Sequence, residues 1–206
     1  MFEKKVLYAI TDEYLLKEDF EKKVEEALKS GVDIIQYRAK KKNAKDMIEE
    51  AIVLKKLCIK YGVPLIINDR VDIALAVDAD GVHVGQEDIP VLYVRNLIGN
   101  KKILGLSTKN LKHVEEANKL PVDYIGFGSI FPTNTKEDAK VAGLKQLEEA
   151  VNISLQPIIA IGGINESNID EVLKTGCSGV AIVSAIFAGK NIKENVKNLK
   201  ARIKKY

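Results

Sequence analysis

Several polar side chains with the right chemistry for phosphate sit directly behind short apolar runs. In Ile34-Ile35-Gln36-Tyr37-Arg38-Ala39-Lys40, alternate residues of an extended segment share a face, so Gln36, Arg38 and Lys40 project together above an inward Ile34. Two cations and an amide converging on one point are costly to desolvate unless an anion meets them. Lys40 alone reads as a solvated side chain; the triplet together favours an anion site. Asn68 and Asp69 follow the run Leu65-Ile66-Ile67, and Asp88 follows Gly81-Val82-His83-Val84-Gly85. Two carboxylates on neighbouring strand ends, beside those cations, suit Mg²⁺ bridging to phosphate oxygens. Taken singly, each Asp reads as a helix cap, Asp69 for a helix from Val71 and Asp88 for one near Ile89-Pro90. Their pairing with the cationic triplet tips the reading toward a metal.

A second group of polar residues lies further along. Ser107 offers a hydroxyl at the end of the run from Ile103. The stretch FGSIFPTNTKEDAKVAG is longer than an ordinary strand-to-helix loop and carries Thr133, Asn134, Thr135 and Lys136, whose hydroxyls and ammonium suit a phosphate. Gly162-Gly163 and Val183-Ser184 end two further apolar runs, where backbone N–H groups can approach a phosphate. His83 and His113 are the two histidines. His113 reads as solvated on a helix, and His83 as a hydrogen-bonded core residue. No Ser–His–Asp or Cys–His arrangement is legible, which excludes hydrolysis through an activated nucleophile.

The elements that must position these residues form an alternation. Eight β-branched runs begin near Lys5, Asp33, Pro64, Gly81, Ile103, Asp123, Pro157 and Gly179, separated by Lys/Glu-rich stretches of helical period. Phe20, Val24, Ala27 and Leu28 before Gly31 form one such stripe; Met47, Ile48, Ala51 and Leu54–Leu57 before Tyr61-Gly62 form another. Residues 192–206 read as a closing helix. Continuous apolar strands joined by helices make a parallel sheet covered on both faces by right-handed crossovers, and eight units predict a closed (β/α)₈ barrel. An open doubly wound sheet would carry a glycine-rich fingerprint after its first strand, where Thr11-Asp12-Glu13 stands instead.

Composition agrees with one domain over residues 1–206. The 206 residues are 46% hydrophobic and 30% charged, with 32 Lys and Arg against 29 Asp and Glu, a net charge of +3. That balance excludes a disordered chain, and the interleaved charges argue against a nucleic-acid or membrane partner. No apolar run has the ~18 residues needed to span a bilayer, and the start is too acidic for a signal peptide. Two widely separated cysteines fit a reducing, cytoplasmic setting. Small-molecule chemistry remains, with one corner for a diphosphate and Mg²⁺ and another for a monophosphate.

The segments QYRAK, INDRVDIALAVDADGVHVGQED, LGLST, GSIFPTNTK and IAIGGIN, in this order, resemble the thiamine-phosphate synthase family over nearly the whole chain. The resemblance implies a Mg²⁺-dependent transferase on a (β/α)₈ barrel that joins an aminopyrimidine methyl diphosphate to a thiazole phosphate, releasing pyrophosphate. It implies that Gln36, Arg38, Lys40, Asn68, Ser107 and Lys136 hold the pyrimidine diphosphate, with Arg38, Lys40, Ser107 and Lys136 catalytic. Asp69 and Asp88 would hold Mg²⁺. Thr133, Asn134, Thr135, Gly163, Val183 and Ser184 would hold the thiazole phosphate. Tyr37 and Ala39 depart from the family's usual Q-L-R-E-K, on the face opposite the ligand triplet, and Ser129 stands where Pro is frequent. A related thiazole tautomerase shares the barrel, and a non-catalytic regulatory barrel is the alternative from another class.

Overall fold

The computed structural model describes residues 2–133, 141–189 and 191–206. Strands and helices alternate as the sequence predicts: β1 (Val6–Ile10), α1 (Phe20–Lys29), β2 (Ile34–Tyr37), α2 (Ala44–Tyr61), β3 (Leu65–Asn68), α3 (Val71–Ala76), β4 (Gly81–Val84), α4 (Val91–Ile98) and β5 (Ile103–Thr108). They continue with α5 (Leu111–Ala117), β6 (Tyr124–Phe127), α6 (Gly143–Ile153), β7 (Ile158–Ile161), α7 (Ile169–Lys174), β8 (Gly179–Ile182), α8 (Ser184–Phe187) and α9 (Ile192–Ile203). All eight strands pair in parallel with their sequence neighbours, and β1 pairs with β8, so the sheet is a closed barrel.

Side-chain alternation splits each strand between two cores. Val6, Tyr8 and Ile10 of β1 join Ile34, Ile66, Tyr124, Ile159 and Ala181 in one buried cluster inside the barrel. Leu7 and Ala9 point the other way, into the layer between sheet and helices. The helices present the apolar stripes expected of them. In α2, Met47, Ala51, Leu54 and Cys58 are buried; Asn43 caps its start by accepting from the Asp46 N–H at 3.0 Å, and Gly62 ends it in the left-handed region. Among the described residues, no helix is long and apolar enough to cross a membrane.

The lower rim is pinned by a device repeated three times. Asp33, Asp80 and Asp123 stand immediately before β2, β4 and β6, and their carboxylates accept the N–H groups of Leu7 (2.7 Å), Leu65 (2.8 Å) and Leu104 (2.7 Å) on the preceding strand. Each Asp N–H donates back to the carbonyl of the same residue, at 2.9, 2.9 and 2.8 Å. A cation from elsewhere completes each latch: Lys200 on Asp33 at 2.6 Å, Lys55 on Asp80 at 2.9 Å and Arg95 on Asp123 at 2.7 Å. Before β8, Ser178 keeps only the backbone half, donating to Ile158 O at 2.8 Å. The carboxylates thus satisfy strand-end donors and fix the stagger of successive strand pairs.

Asp33→Ala leaves both the Leu7 N–H and the Lys200 ammonium without their acceptor, so it should cost about 2–3 kcal/mol in urea unfolding, whereas Asp33→Asn, which keeps an acceptor, should cost about half. Turnover per folded molecule should not change, because the latch lies at the rim away from the cavity described below. Equal stability of Asp33→Ala and the parent would contradict the latch.

Candidate active site

At the opposite rim the strand ends enclose a cavity of about 170 Å³. Gln36, Arg38, Lys40, Asn68, Asp69, Asp88, Ser107 and Val183 all line it. The first seven are seven of the eight residues expected at the diphosphate and metal corner, the eighth, Lys136, lying outside the described residues, and four different strand ends bring them together.

The segment that follows β1 braces the cationic one. Thr11, almost fully buried, accepts from the Arg38 N–H through its Oγ1 at 2.9 Å and donates its own N–H to Gln36 O at 2.9 Å. The Glu13 carboxylate accepts the N–H groups of Lys40 and Lys41 at 3.3 and 3.2 Å. Thr11-Asp12-Glu13 therefore holds the backbone that carries Arg38 and Lys40. Tyr37 faces outward, its hydroxyl donating to Glu50 at 2.7 Å, so this departure from the family pattern lies away from the cavity.

The two candidate metal ligands are held by their backbones, and neither acts as a helix cap. Asp69 has φ 60°, in the left-handed region, while its N–H donates to His83 O at 2.8 Å. Aspartate tolerates this region better than most residues, though at a cost of about 1–2 kcal/mol. The turn directs the carboxylate to the Lys40 ammonium, with which it forms an ion pair. Asp88 Oδ2 accepts the Gly85 N–H at 2.7 Å, closing the loop after β4 on itself. The capping alternatives are thereby set aside: α3 and α4 have Arg70 and Pro90 at their N-caps, without a side-chain cap bond.

Burial raises the pKa of Asp69 above the ordinary aspartate value; Lys40 opposes this, and the adjacent Asp88 carboxylate reinforces it. Two carboxylates within interaction range in a partly dry mouth repel each other, and a divalent cation held by both would offset that repulsion. No group of three or more His, Cys, Asp or Glu side chains able to hold a metal occurs among the described residues. A site of two carboxylates fits an ion that keeps its remaining oxygens from water and substrate, as Mg²⁺ does, and does not fit an all-protein cage.

His83 is a satisfied buried histidine, as expected, and it also lines the cavity: Nδ1 lies 2.8 Å from the Tyr124 hydroxyl and Nε2 2.8 Å from Ser107 Oγ. Tyr8 and Tyr124 line the cavity as well and were not singled out by the sequence reading. Nothing in the sequence separates these inward tyrosines from the outward Tyr37, since each sits in a strand that is apolar on both faces.

At the monophosphate corner the described residues are Thr133, Gly163, Val183 and Ser184. Val183 lines the cavity, β8 ends at Ile182, and Ser184 is the first residue of the four-residue α8. Gly163 has φ 66°, and a Cβ there would meet Pro132 O at 2.5 Å and Phe131 Cβ at 2.7 Å. It is a close approach to the loop after β6, so a bulky substitution at 163 tests loop packing before it tests ligand binding. Thr133 belongs to that loop; Asn134, Thr135 and Lys136 lie outside the described residues. His113 departs from the solvated position expected: it is half-buried, with Nδ1 shielded from solvent.

Comparison with known proteins draws on the whole chain. The family model described as thiamine monophosphate synthase matches residues 7–186. The chain belongs to the thiamine monophosphate synthase family. The thiamine-phosphate synthase of Persephonella marina is 59% identical over 195 residues, spanning 94% of this chain and 93% of that protein. Thiamine-phosphate synthase 1 of Aquifex aeolicus is 44% identical, spanning 94% of this chain and 91% of that protein. The solved thiamine phosphate pyrophosphorylase from Pyrococcus furiosus superposes with a TM-score of 0.91 at 40% identity, covering 99% of this chain and 98% of that one. Fold and family agree with the (β/α)₈ expectation, and the activity that goes with them is that of a thiamine-phosphate synthase, a transferase.

Because the raised pKa of Asp69 means that its ionised form is disfavoured in the fold, Asp69→Asn should melt at or slightly above the parent temperature while losing Mg²⁺-stimulated turnover. The same sign fixes the pH effect. Ionised Asp69 costs stability above its raised pKa, and this cost is relieved as pH falls through that value, while protons would compete with a divalent ion held there. Mg²⁺ affinity should therefore begin to weaken on acidification at a higher pH than an ordinary aspartate gives. A melting temperature well below the parent's, with Mg²⁺ dependence intact, would contradict this reading.

Proposed function

We propose that the chain transfers the aminopyrimidine methyl group of an aminopyrimidine methyl diphosphate to the nitrogen of a thiazole phosphate, or of its carboxylated form, giving thiamine phosphate and pyrophosphate. The observation that carries this reading is the single cavity in which Arg38, Lys40, Asp69 and Asp88 stand beside the amide of Gln36 and the hydroxyl of Ser107. A monophosphate alone would not call for both cations and both carboxylates.

In this reading the bond from the methylene carbon to the diphosphate oxygen breaks first, and the electron pair leaves with pyrophosphate. The electron-rich aminopyrimidine carries the resulting methylene cation until the thiazole nitrogen forms the new C–N bond. Arg38 and Lys40 stabilise charge building on the departing oxygens, where fixed cations are most effective. Mg²⁺, held by Asp69 and Asp88, would add a divalent charge to the same leaving group. Lys40 pairs with Asp69 and so stands at the edge of the diphosphate corner, within reach of an anion seated there. Gln36, Asn68 and Ser107 orient the pyrimidine end, and Lys136 is proposed to add a further cation. Thr133, Asn134, Thr135, Gly163, Val183 and Ser184 are proposed to hold the thiazole phosphate. Little acid–base chemistry is required, in keeping with a cavity lined by one histidine.

Free, buried Cys58 and Cys177 support a reducing, cytoplasmic setting, and the small cavity, with its charged mouth above an apolar lining, supports small-molecule substrates without a nucleic-acid or membrane partner.

The test is incubation of the purified protein with both substrates and Mg²⁺. Thiamine phosphate and pyrophosphate in equal amounts are expected. Isomerisation of the thiazole alone would assign a tautomerase, and binding without turnover a regulatory barrel. In the same assay Asp88→Asn should lower kcat by about 10²–10³, with partial recovery at high Mg²⁺. Wild-type turnover with unchanged Mg²⁺ dependence would remove Asp88 from the metal site.

A further inference from the structure

A chain of buried hydrogen bonds crosses the floor of the cavity. Gln36 Nε2 donates to the Tyr8 hydroxyl at 2.9 Å, and Tyr8 and Tyr124 hydroxyls are 2.8 Å apart. The Tyr124 hydroxyl is 2.8 Å from His83 Nδ1, and His83 Nε2 is 2.8 Å from Ser107 Oγ. Both ends of the chain lie on cavity-lining side chains, where a purely structural network would end on backbone.

Such a chain has a direction, because each hydroxyl has one proton to give. Burial pushes both phenols well above the ordinary tyrosine value, so both remain protonated. Tyr8 accepts from Gln36, and among the described residues Tyr124 is the other partner of its hydroxyl, so a satisfied buried Tyr8 gives its own proton to Tyr124. The Tyr124 proton then goes to His83 Nδ1, which must offer a lone pair. The imidazole proton therefore sits on Nε2 and is donated to Ser107 Oγ. That leaves the Ser107 proton free to point into the cavity, and leaves the Gln36 amide oxygen as the acceptor at the other end.

We propose that His83, as its Nε2–H tautomer, is a positioning residue that makes Ser107 an obligate donor and Gln36 an obligate acceptor toward the substrate. The backbone makes room for this arrangement. A Cβ at Gly105 would collide with His83 Nδ1 and the Tyr124 ring, and one at Gly126 would stand 3.2 Å from His83 Cε1.

Resting on the aminopyrimidine reading above, the consequence is specificity. An aminopyrimidine brings an N–H donor for Gln36 and a bare ring nitrogen for Ser107. The corresponding oxo-pyrimidine has a carbonyl oxygen and a ring N–H, the reverse pattern. Accepting it would require reversal of the whole relay, from the Gln36 amide through the His83 tautomer to Ser107.

Two measurements test this. The first is ¹⁵N NMR of the imidazole in a His113→Gln background, where His83 is the one histidine left. A protonated Nε2 and bare Nδ1 are expected; a protonated Nδ1, or an imidazolium at neutral pH, would overturn the relay. The second compares kcat/KM for the aminopyrimidine and oxo-pyrimidine methyl diphosphates. Tyr124→Phe should reduce the discrimination at least about tenfold, leaving the KM for thiazole phosphate unchanged. His83→Leu should do the same, and His83→Gln, whose amide can donate to Ser107, should restore part of it. Unchanged discrimination in Tyr124→Phe, or equal losses for both pyrimidines together with a raised thiazole KM, would overturn the positioning role. A wild type inactive on both substrates would instead overturn the proposed function, while the tautomer would still decide the relay.

Discussion

Pairing of β1 with β8, from Val6 against Gly179 to Ala9 against Ile182, closes the sheet, and through that closure all eight strands deliver their C-terminal ends to one rim. The register then dictates which side chains meet. Tyr8 lies between Ile34 on one side and Ala181 on the other, and so its ring faces the interior, where Tyr124 arrives from β6. A slip of one residue would turn Tyr8 out and Leu7 in. The Asp33, Asp80 and Asp123 latches act on this register from the lower rim, so one end of the barrel holds the stagger that the other end uses.

The two rims use charge in opposite ways. Below, each carboxylate has strand-end N–H donors and a cation, and it stabilises the fold. Above, Asp69 is held in the left-handed region with a second carboxylate beside it, and its ionised form is disfavoured. The upper arrangement disfavours ionised Asp69 despite its Lys40 partner, and added positive charge would offset that cost. That contrast is the physical argument for a divalent ion and an anionic substrate at this rim.

The parts of this account legible in the sequence were those with a period. Alternation of apolar runs and amphipathic stretches fixes the barrel, and the two-residue repeat in Gln36, Arg38 and Lys40 places three side chains on one face. What stayed hidden depends on which of two buried faces a residue takes. Tyr8 and Tyr124 are inside the barrel and Tyr37 is outside it, yet all three read alike, because a strand covered on both faces has no polar side. Asp88 before Ile89-Pro90 imitates a helix start, but the chain turns back first and its carboxylate meets Gly85. The latches were signalled by an Asp before each of three alternate strands, a pattern that acquires meaning only when an N–H near the start of the preceding strand is seen to need an acceptor.

The central claim, that Asp69 and Asp88 mark a metal-bridged diphosphate corner, is tested most directly by a crystal structure with pyrophosphate and Mn²⁺ in place of Mg²⁺, using the anomalous signal of manganese. The account predicts a manganese peak between the Asp69 and Asp88 carboxylates, with pyrophosphate oxygens turned to it and to Arg38, and the Lys40 ammonium drawn from Asp69 to the anion. Manganese bound elsewhere, or pyrophosphate seated at Gly163 and Ser184 with the Lys40–Asp69 pair intact, would contradict it.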